Sequence, residues 1–227
     1  MMHRARLPLI SVLVGAVLFA GGAGMRVYAS LTLAQVERRL VTARPVSPAE
    51  IGPEIGRAVG EFDPADGPPT EIRLPDLGLW NRLEPVTERL SWQNGQIDVA
   101  WDVADAGWHV PSGWPGWGGN VVIAGHSPSR DPNTWSRSVF RQLAYLEPGN
   151  RIELIAGSRT YRYEVVRVFA IHERDAQMPA ATAWIERGDS ERLTLITCWP
   201  PHTAAYRVLV IAQPVKSFAR TDQPGVN

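Results

Sequence analysis

Cys198 is the only cysteine in the 227-residue chain, and it closes the alternating run Thr194-Leu195-Ile196-Thr197 just before Trp199-Pro200-Pro201. Proline lacks the N–H that a sheet ladder needs, so the strand stops there and the thiol sits beside a loop. A lone buried cysteine is commonly a small inert hydrophobe. In an exported chain an unpaired cysteine is instead a candidate nucleophile. A thiol with a pKa near about 8.5 needs a base or a cation close by to react at neutral pH. Five histidines could supply the base. His3 precedes an apolar run, His109 sits in a tryptophan-rich segment, and His172 ends a long strand beside Glu173, where solvation accounts for it. His126 ends the apolar strand Val121-Val122-Ile123-Ala124-Gly125 as Cys198 ends its own, so the two side chains can share one rim. His202, four residues beyond the cysteine, can reach it through the loop alone and stands as the second choice. Arg207 follows Cys198 after eight intervening residues and opens the last strand. Its guanidinium suits a thiolate, an oxyanion or a peptide carbonyl. Its plain alternative is a surface arginine at a strand end.

The elements that must position these groups read mainly as β. Glu71 to Leu79 alternates through Ile72 and Leu74, Asn120 to His126 is short and apolar, and Arg151 to Ala156 alternates again. Arg159 to His172 carries Tyr161, Tyr163 and Val165 on one parity and Val166, Val168 and Ala170 on the other, the mark of a bend or bulge. Arg192 to Cys198 and Ala205 to Val215 complete the set. Short helices are expected at Ser136 to Leu146 and Ala180 to Arg187. The connections are too short and too rarely helical for a doubly wound parallel sheet. A closed or nearly closed β-barrel with a few short helices fits best. Trp92, Trp101, Trp108, Trp114 and Trp117 crowd the segment before Asn120. They suit a glycan-binding face or a membrane belt, but packing of a loop-rich part of the barrel is the simpler account, and no site is assigned to them.

Upstream, Arg4 and Arg6 precede Leu7 to Met25, an uncharged and mostly apolar run. Roughly 20 such residues span a hydrocarbon core as a helix. Val27-Tyr28-Ala29 also offers the small residue of a signal-peptide cleavage site. Anchor or signal, residues 1–29 export the rest of the chain. Residues 30–70 read as a short helix, Leu31 to Ala43 with Ser30 as cap, and a proline-rich stalk. Residues 71–215 hold the barrel, and residues 216–227 form a tail. Lys plus Arg equals Asp plus Glu at 23 each, so no basic excess points to nucleic acid. One cysteine excludes an internal disulfide framework and multi-cysteine metal sites.

Three motifs in order resemble those of the sortases: Asn120-Val121-Val122-Ile123-Ala124-Gly125-His126, Thr194 to Cys198 as TLITC, and Arg207 nine residues on within Tyr206-Arg207-Val208-Leu209-Val210. Ile72-Arg73-Leu74-Pro75, Pro115-Gly116, Val139 to Leu143 and Glu147-Pro148-Gly149 agree, so the likeness covers residues 71 to 215. The resemblance implies an eight-stranded sortase-type β-barrel behind an N-terminal transmembrane helix, on a single-pass cell-membrane protein with the catalytic domain outside. It implies a cysteine transpeptidase. Cys198 would attack a C-terminal sorting signal of secreted proteins and form a thioacyl enzyme. His126 would serve the leaving and entering amines, and Arg207 would hold the substrate backbone and the tetrahedral intermediate. The acceptor would be an amine such as a cell-wall peptide or a pilin lysine. No metal or organic cofactor is required by this chemistry. The chain shows no aspartate-aromatic lid motif, which favours a housekeeping-type, class D/E-like anchoring role. Trp199 and the polar loop Ser127 to Trp135 depart from the pattern and bear on specificity. Two rivals are a thiol peptidase that hydrolyses the same signal and a non-catalytic, membrane-tethered cell-wall binding module.

Overall fold

In the computed structural model, residues 34–41, 50, 64–93, 96–101, 105–127, 138–175, 183–188, 190–200 and 205–215 are described. The chain divides into two compact units, Met1–Arg39 and Leu40–Asn227. A helix covers residues 34–41. The expected anchor Leu7 to Met25, most of the stalk, the second-choice base His202, residues 128–135 of the polar loop and the tail lie outside the described residues. Among the described residues no helix is long and apolar enough to cross a membrane.

Among the described residues, eleven strands follow in chain order. They are β1 (Pro69–Leu74), β2 (Leu79–Arg82), β3 (Glu84–Val86), β4 (Glu88–Gln93), β5 (Gln96–Trp101), β6 (Ala106–His109), β7 (Asn120–Gly125), β8 (Arg151–Ala156), β9 (Arg159–His172), β10 (Arg192–Trp199) and β11 (Tyr206–Pro214). β4 and β5 pair as a separate antiparallel ribbon. The other nine form one sheet in the order β2-β1-β8-β9-β11-β10-β7-β6-β3. Its two end strands, β2 and β3, are separated in sequence by Leu83 alone. The chain itself therefore joins the two edges, and the sheet must curl into a nearly closed barrel. Nine strands replace the expected eight because one extended stretch breaks at Leu83, whose N–H still donates to Thr70 at 2.8 Å. The single strand expected at Glu71 to Leu79 is likewise two, since Pro75 and the left-handed Gly78 (φ 61°) turn the chain between them.

Inside the barrel, Ile72 and Leu74, Ile152, Leu154 and Ala156, Tyr163 and Val165, Leu193 and Leu195, and Val208 and Val210 are all buried. The parity change expected in β9 is a bulge: Ile211 faces Arg167 while Ala212 faces Val165, so Val166 is the extra residue. Beyond it Val168 and Ala170 take over the inner face, opposite Val210 and Val208. This frees Phe169 and Ile171 to point outward, where they pack with Leu209, Ile211 and Trp184. The rings of Phe169 and Trp184 lie 5.4 Å apart. Both faces of the β9-β11-β10-β7 region are thus covered, which explains why β7 reads as a continuous apolar run.

The expected helices are corrected. Residues 138–146 form turns and one 3₁₀ turn, Leu143–Tyr145, and residues 183–186 form turns and a bend. Phe140, Leu143, Ala144 and Leu146 are buried and Val139 is half-buried, so the apolar positions serve a wound, packed loop rather than a helix. The packed body also extends upstream of β1. Ala65 N–H donates to the Pro115 carbonyl at 2.9 Å, and Trp117 Nε1 donates to the Ala65 carbonyl at 2.7 Å.

Candidate active site

Cys198 and Arg207 are directly opposed across the antiparallel β10–β11 pair. Directly opposed residues project from one face, so the thiol and the guanidinium share the outer side of the barrel. That is the side of Ile196 and the Trp184 cluster. On the other flank β10 runs parallel to β7, with Arg192 beside Asn120 and Ile196 beside Ala124. Two further steps along both strands put Cys198 level with His126, just past the end of β7. The three residues singled out in the sequence therefore form one row over β7, β10 and β11. His126 is exposed and Cys198 half-buried. The cysteine is the penultimate residue of its strand, which ends on Trp199.

The backbone of His126 is held from both sides. Its N–H donates to the Asp105 carbonyl and its carbonyl accepts from Phe140 N–H, each at 3.0 Å. Gly125 is required there: a Cβ on it would meet the Phe140 ring at 2.5 Å. Thr197 Oγ1 donates to the Gly125 carbonyl at 2.8 Å. At the far end of the same parallel pair, Thr194 Oγ1 donates to Asn120 Oδ1 at 2.9 Å. Asn120 in turn donates to the carbonyls of Trp184 and Glu186.

Burial pushes the Cys198 thiol up from its ordinary pKa, the Arg207 cation pulls it down, and the Glu173 carboxylate pushes it up again. Arg207 Nη2 donates to Glu173 Oε1 at 2.7 Å. Such a row offers a nucleophile, a proton carrier and a fixed cation, the set required for acyl transfer through a thioester.

Other residues of interest fall elsewhere. Trp199 is 1% exposed, and its ring lies edge-on to Tyr145 at 6.2 Å on the inner side. Strand alternation turns it away from Cys198, so the bulk expected to bear on specificity is packed on the inner side instead. His172 is neither simply solvated nor part of the row: its ring packs edge-on against Tyr206 at 5.1 Å, and its Nδ1 accepts from Arg174 N–H. Trp108 and His109 lie on β6 and are buried, while Trp114 links Trp108 to the exposed Trp117 through edge-on contacts. Of these three, Trp117 alone is exposed, and the side chains of Trp92 and Trp101 lie outside the described ones. Sequence reasoning missed Glu173, whose role is visible only once β9 is known to pair with β11.

A protein-family model described as "Sortase domain" matches residues 72–215. No curated protein matches the chain significantly. Among solved structures, a lid mutant of sortase A from Corynebacterium diphtheriae is 21% identical with a TM-score of 0.48, covering 68% of this chain and 74% of that one. Sortase C-1 from Actinomyces oris is 20% identical with a TM-score of 0.49, over 78% and 85% of the two chains. A sortase D5 transpeptidase from Clostridium perfringens is 22% identical with a TM-score of 0.47, over 72% and 88%.

Proposed function

We propose, from the premise that this chain belongs to the sortase family of cysteine transpeptidases, that Cys198, His126 and Arg207 join secreted proteins to an amine acceptor at the cell surface. The observation that carries this reading is the direct opposition of Cys198 and Arg207, with His126 level with the thiol on the other flank.

In this reaction the sulfur of Cys198 adds to the carbonyl carbon of a peptide bond in a C-terminal sorting signal, and the thiol proton passes to His126. The oxygen gains negative charge and takes hydrogen bonds from Arg207. The C–N bond breaks as His126 returns the proton to the departing amine, leaving a thioester on Cys198. An incoming amine, from a cell-wall peptide or a pilin lysine, then attacks the thioester. It gives its proton to His126, the C–S bond breaks, and His126 passes that proton to the departing sulfur to restore the thiol. Burial pushes the resting thiol up from its ordinary pKa, which suits a nucleophile activated only as substrate arrives. The apolar run Leu7 to Met25 is long enough to span a bilayer as a helix, which supports a single-pass membrane protein, and this reading sets the barrel outside.

The test is mass spectrometry of the full chain incubated with a sorting-peptide library, with and without amines. A peptidyl adduct on Cys198 that moves to an added amine is expected, and Cys198→Ala, His126→Ala and Arg207→Ala should abolish it. No adduct on Cys198 with any peptide would refute the reading. An adduct released only to water with every amine would make the protein a thiol hydrolase instead.

A further inference from the structure

Glu173 takes no bond-making part in the reaction above, yet it is tied to one of its three residues. The tie follows from strand register. Arg207 opposes Ile171 on β9, and Glu173 lies two residues further along, on the same side. Diagonal neighbours of this kind stand about 7–8 Å apart, within reach of two long side chains. The backbone continues the ladder past the end of β9, since Glu173 N–H donates to the Ala205 carbonyl at 2.9 Å. The His172–Tyr206 ring contact braces the same two strand ends. With the two side chains 29% and 54% exposed, the ion pair contributes little to stability. Its effect is instead on the direction of the guanidinium.

We propose that Glu173 is a positioning residue for the Cys198–Arg207 pair: its carboxylate fixes the guanidinium on the row of the thiol in the free protein and keeps it aimed at the reacting carbonyl oxygen. The proposal rests on the transpeptidase reading for its second half; the first half concerns the free protein alone. The salt bridge joins Arg207 Nη2 to Glu173 Oε1, and because the guanidinium is a rigid planar fork of N–H donors, a carboxylate held on one nitrogen sets the direction of the whole group. Among the described residues, the ionisable groups at this end of the sheet include Asp105 before β6, His126 after β7, Tyr206 and Arg207 on β11, and His172, Glu173, Arg174 and Asp175 at the end of β9. Of these, Arg207 and Glu173 act on the thiol, in opposite senses.

The experiment compares the full chain with Glu173→Ala and Glu173→Gln in two measurements. The first is the pH dependence of Cys198 alkylation by iodoacetamide. Glutamine keeps an oxygen for Arg207 but removes the charge, so the midpoint falls below that of the wild type. Alanine also releases the guanidinium, so its midpoint lies above that of the glutamine variant. The second is peptide turnover. Alanine lowers kcat/KM about tenfold through kcat, the scale of one hydrogen bond to a charged group, and glutamine restores most of it. Identical alkylation midpoints in the three proteins, or a wild-type kcat/KM in the alanine variant, overturn the proposal. A chain that forms no thioester with any peptide but shows the ordered alkylation shifts loses the transpeptidase reading and keeps the Glu173–Arg207–Cys198 coupling.

Discussion

Thr197 Oγ1 donates to the Gly125 carbonyl at 2.8 Å, joining β10 to β7 one residue short of both Cys198 and His126. These strands run parallel, so no tight turn sets their register. A slip of one residue would turn His126 to the opposite face from the thiol. The Thr197 bond at one end and the Thr194–Asn120 bond at the other hold the pair where both reactive groups face outward.

Thr197→Val keeps the side-chain shape and removes the bond. It should cost about 1 kcal/mol of stability, the net value of one hydrogen bond. Thioester formation should fall further, by about tenfold or more, because a small misplacement of reacting groups is amplified in rate. Thr197→Ser, which keeps the hydroxyl, should restore most of both. Thermal denaturation and adduct formation on the three proteins check this, and equal rates would show that the bond does not set the register.

Gly125→Ala tests the support of the histidine from the other side. The added Cβ would lie 2.5 Å from a buried, rigid Phe140 ring, so that ring must move. Overpacking of this kind costs about 1–3 kcal/mol. Phe140 N–H holds the His126 carbonyl, so the displacement reaches the row directly. A lowered melting temperature with loss of turnover is expected. Gly125→Ala combined with Phe140→Leu should recover part of the stability, since the smaller side chain makes room for the methyl group.

The strands were legible where alternation or an unbroken apolar run met a proline or glycine, as at Arg151–Ala156 and at Arg192–Trp199. The β9 bulge was legible too, because a change of parity has few other causes. The row of Cys198, His126 and Arg207 could be named from residue types and motif order, but its geometry depended on pairings between distant strands. Glu173 shows the limit: it reads as a surface carboxylate until Ile171 is known to face Arg207. The helices expected at Ser136 to Leu146 and Ala180 to Arg187 failed because burial of an apolar spacing by loops leaves the same trace as a helix face.

Arg207→Ala removes the cation that pulls the thiol down while burial and Glu173 still push it up. The midpoint of Cys198 alkylation should therefore move to higher pH than in the wild type, as iodoacetamide kinetics can show. The same elevation has a consequence for stability. A thiol that titrates higher in the folded protein than in the unfolded chain holds its proton where the unfolded chain has lost it. Its contribution is complete below about pH 8.5 and is lost as pH rises through the folded value. The melting temperature of wild type should accordingly drop relative to Cys198→Ala as pH is raised above about 8.5, and parallel curves would contradict the elevation.

Glu191 offers a test at the start of β10, where a nearly buried carboxylate accepts from three donors. Gly116 N–H and Tyr163 Oη each donate to Oε1 at 2.9 Å, and Gly118 N–H donates to Oε2 at 3.2 Å. Burial first, and then the Glu191 charge, hold the Tyr163 hydroxyl well above its ordinary pKa, so it stays a donor at any working pH. Glutamine has one acceptor oxygen where the site needs two. Glu191→Gln turns an N–H toward a donor and should cost about 1–3 kcal/mol. The loop it releases carries Trp114 and Trp117, so their fluorescence should change along with the melting temperature. Cys198 alkylation should keep its wild-type midpoint, because the thiol lies at the opposite end of β10. A large shift in that midpoint would mean that the loop and the row of Cys198 are coupled along β10, and that the register bonds do not isolate them.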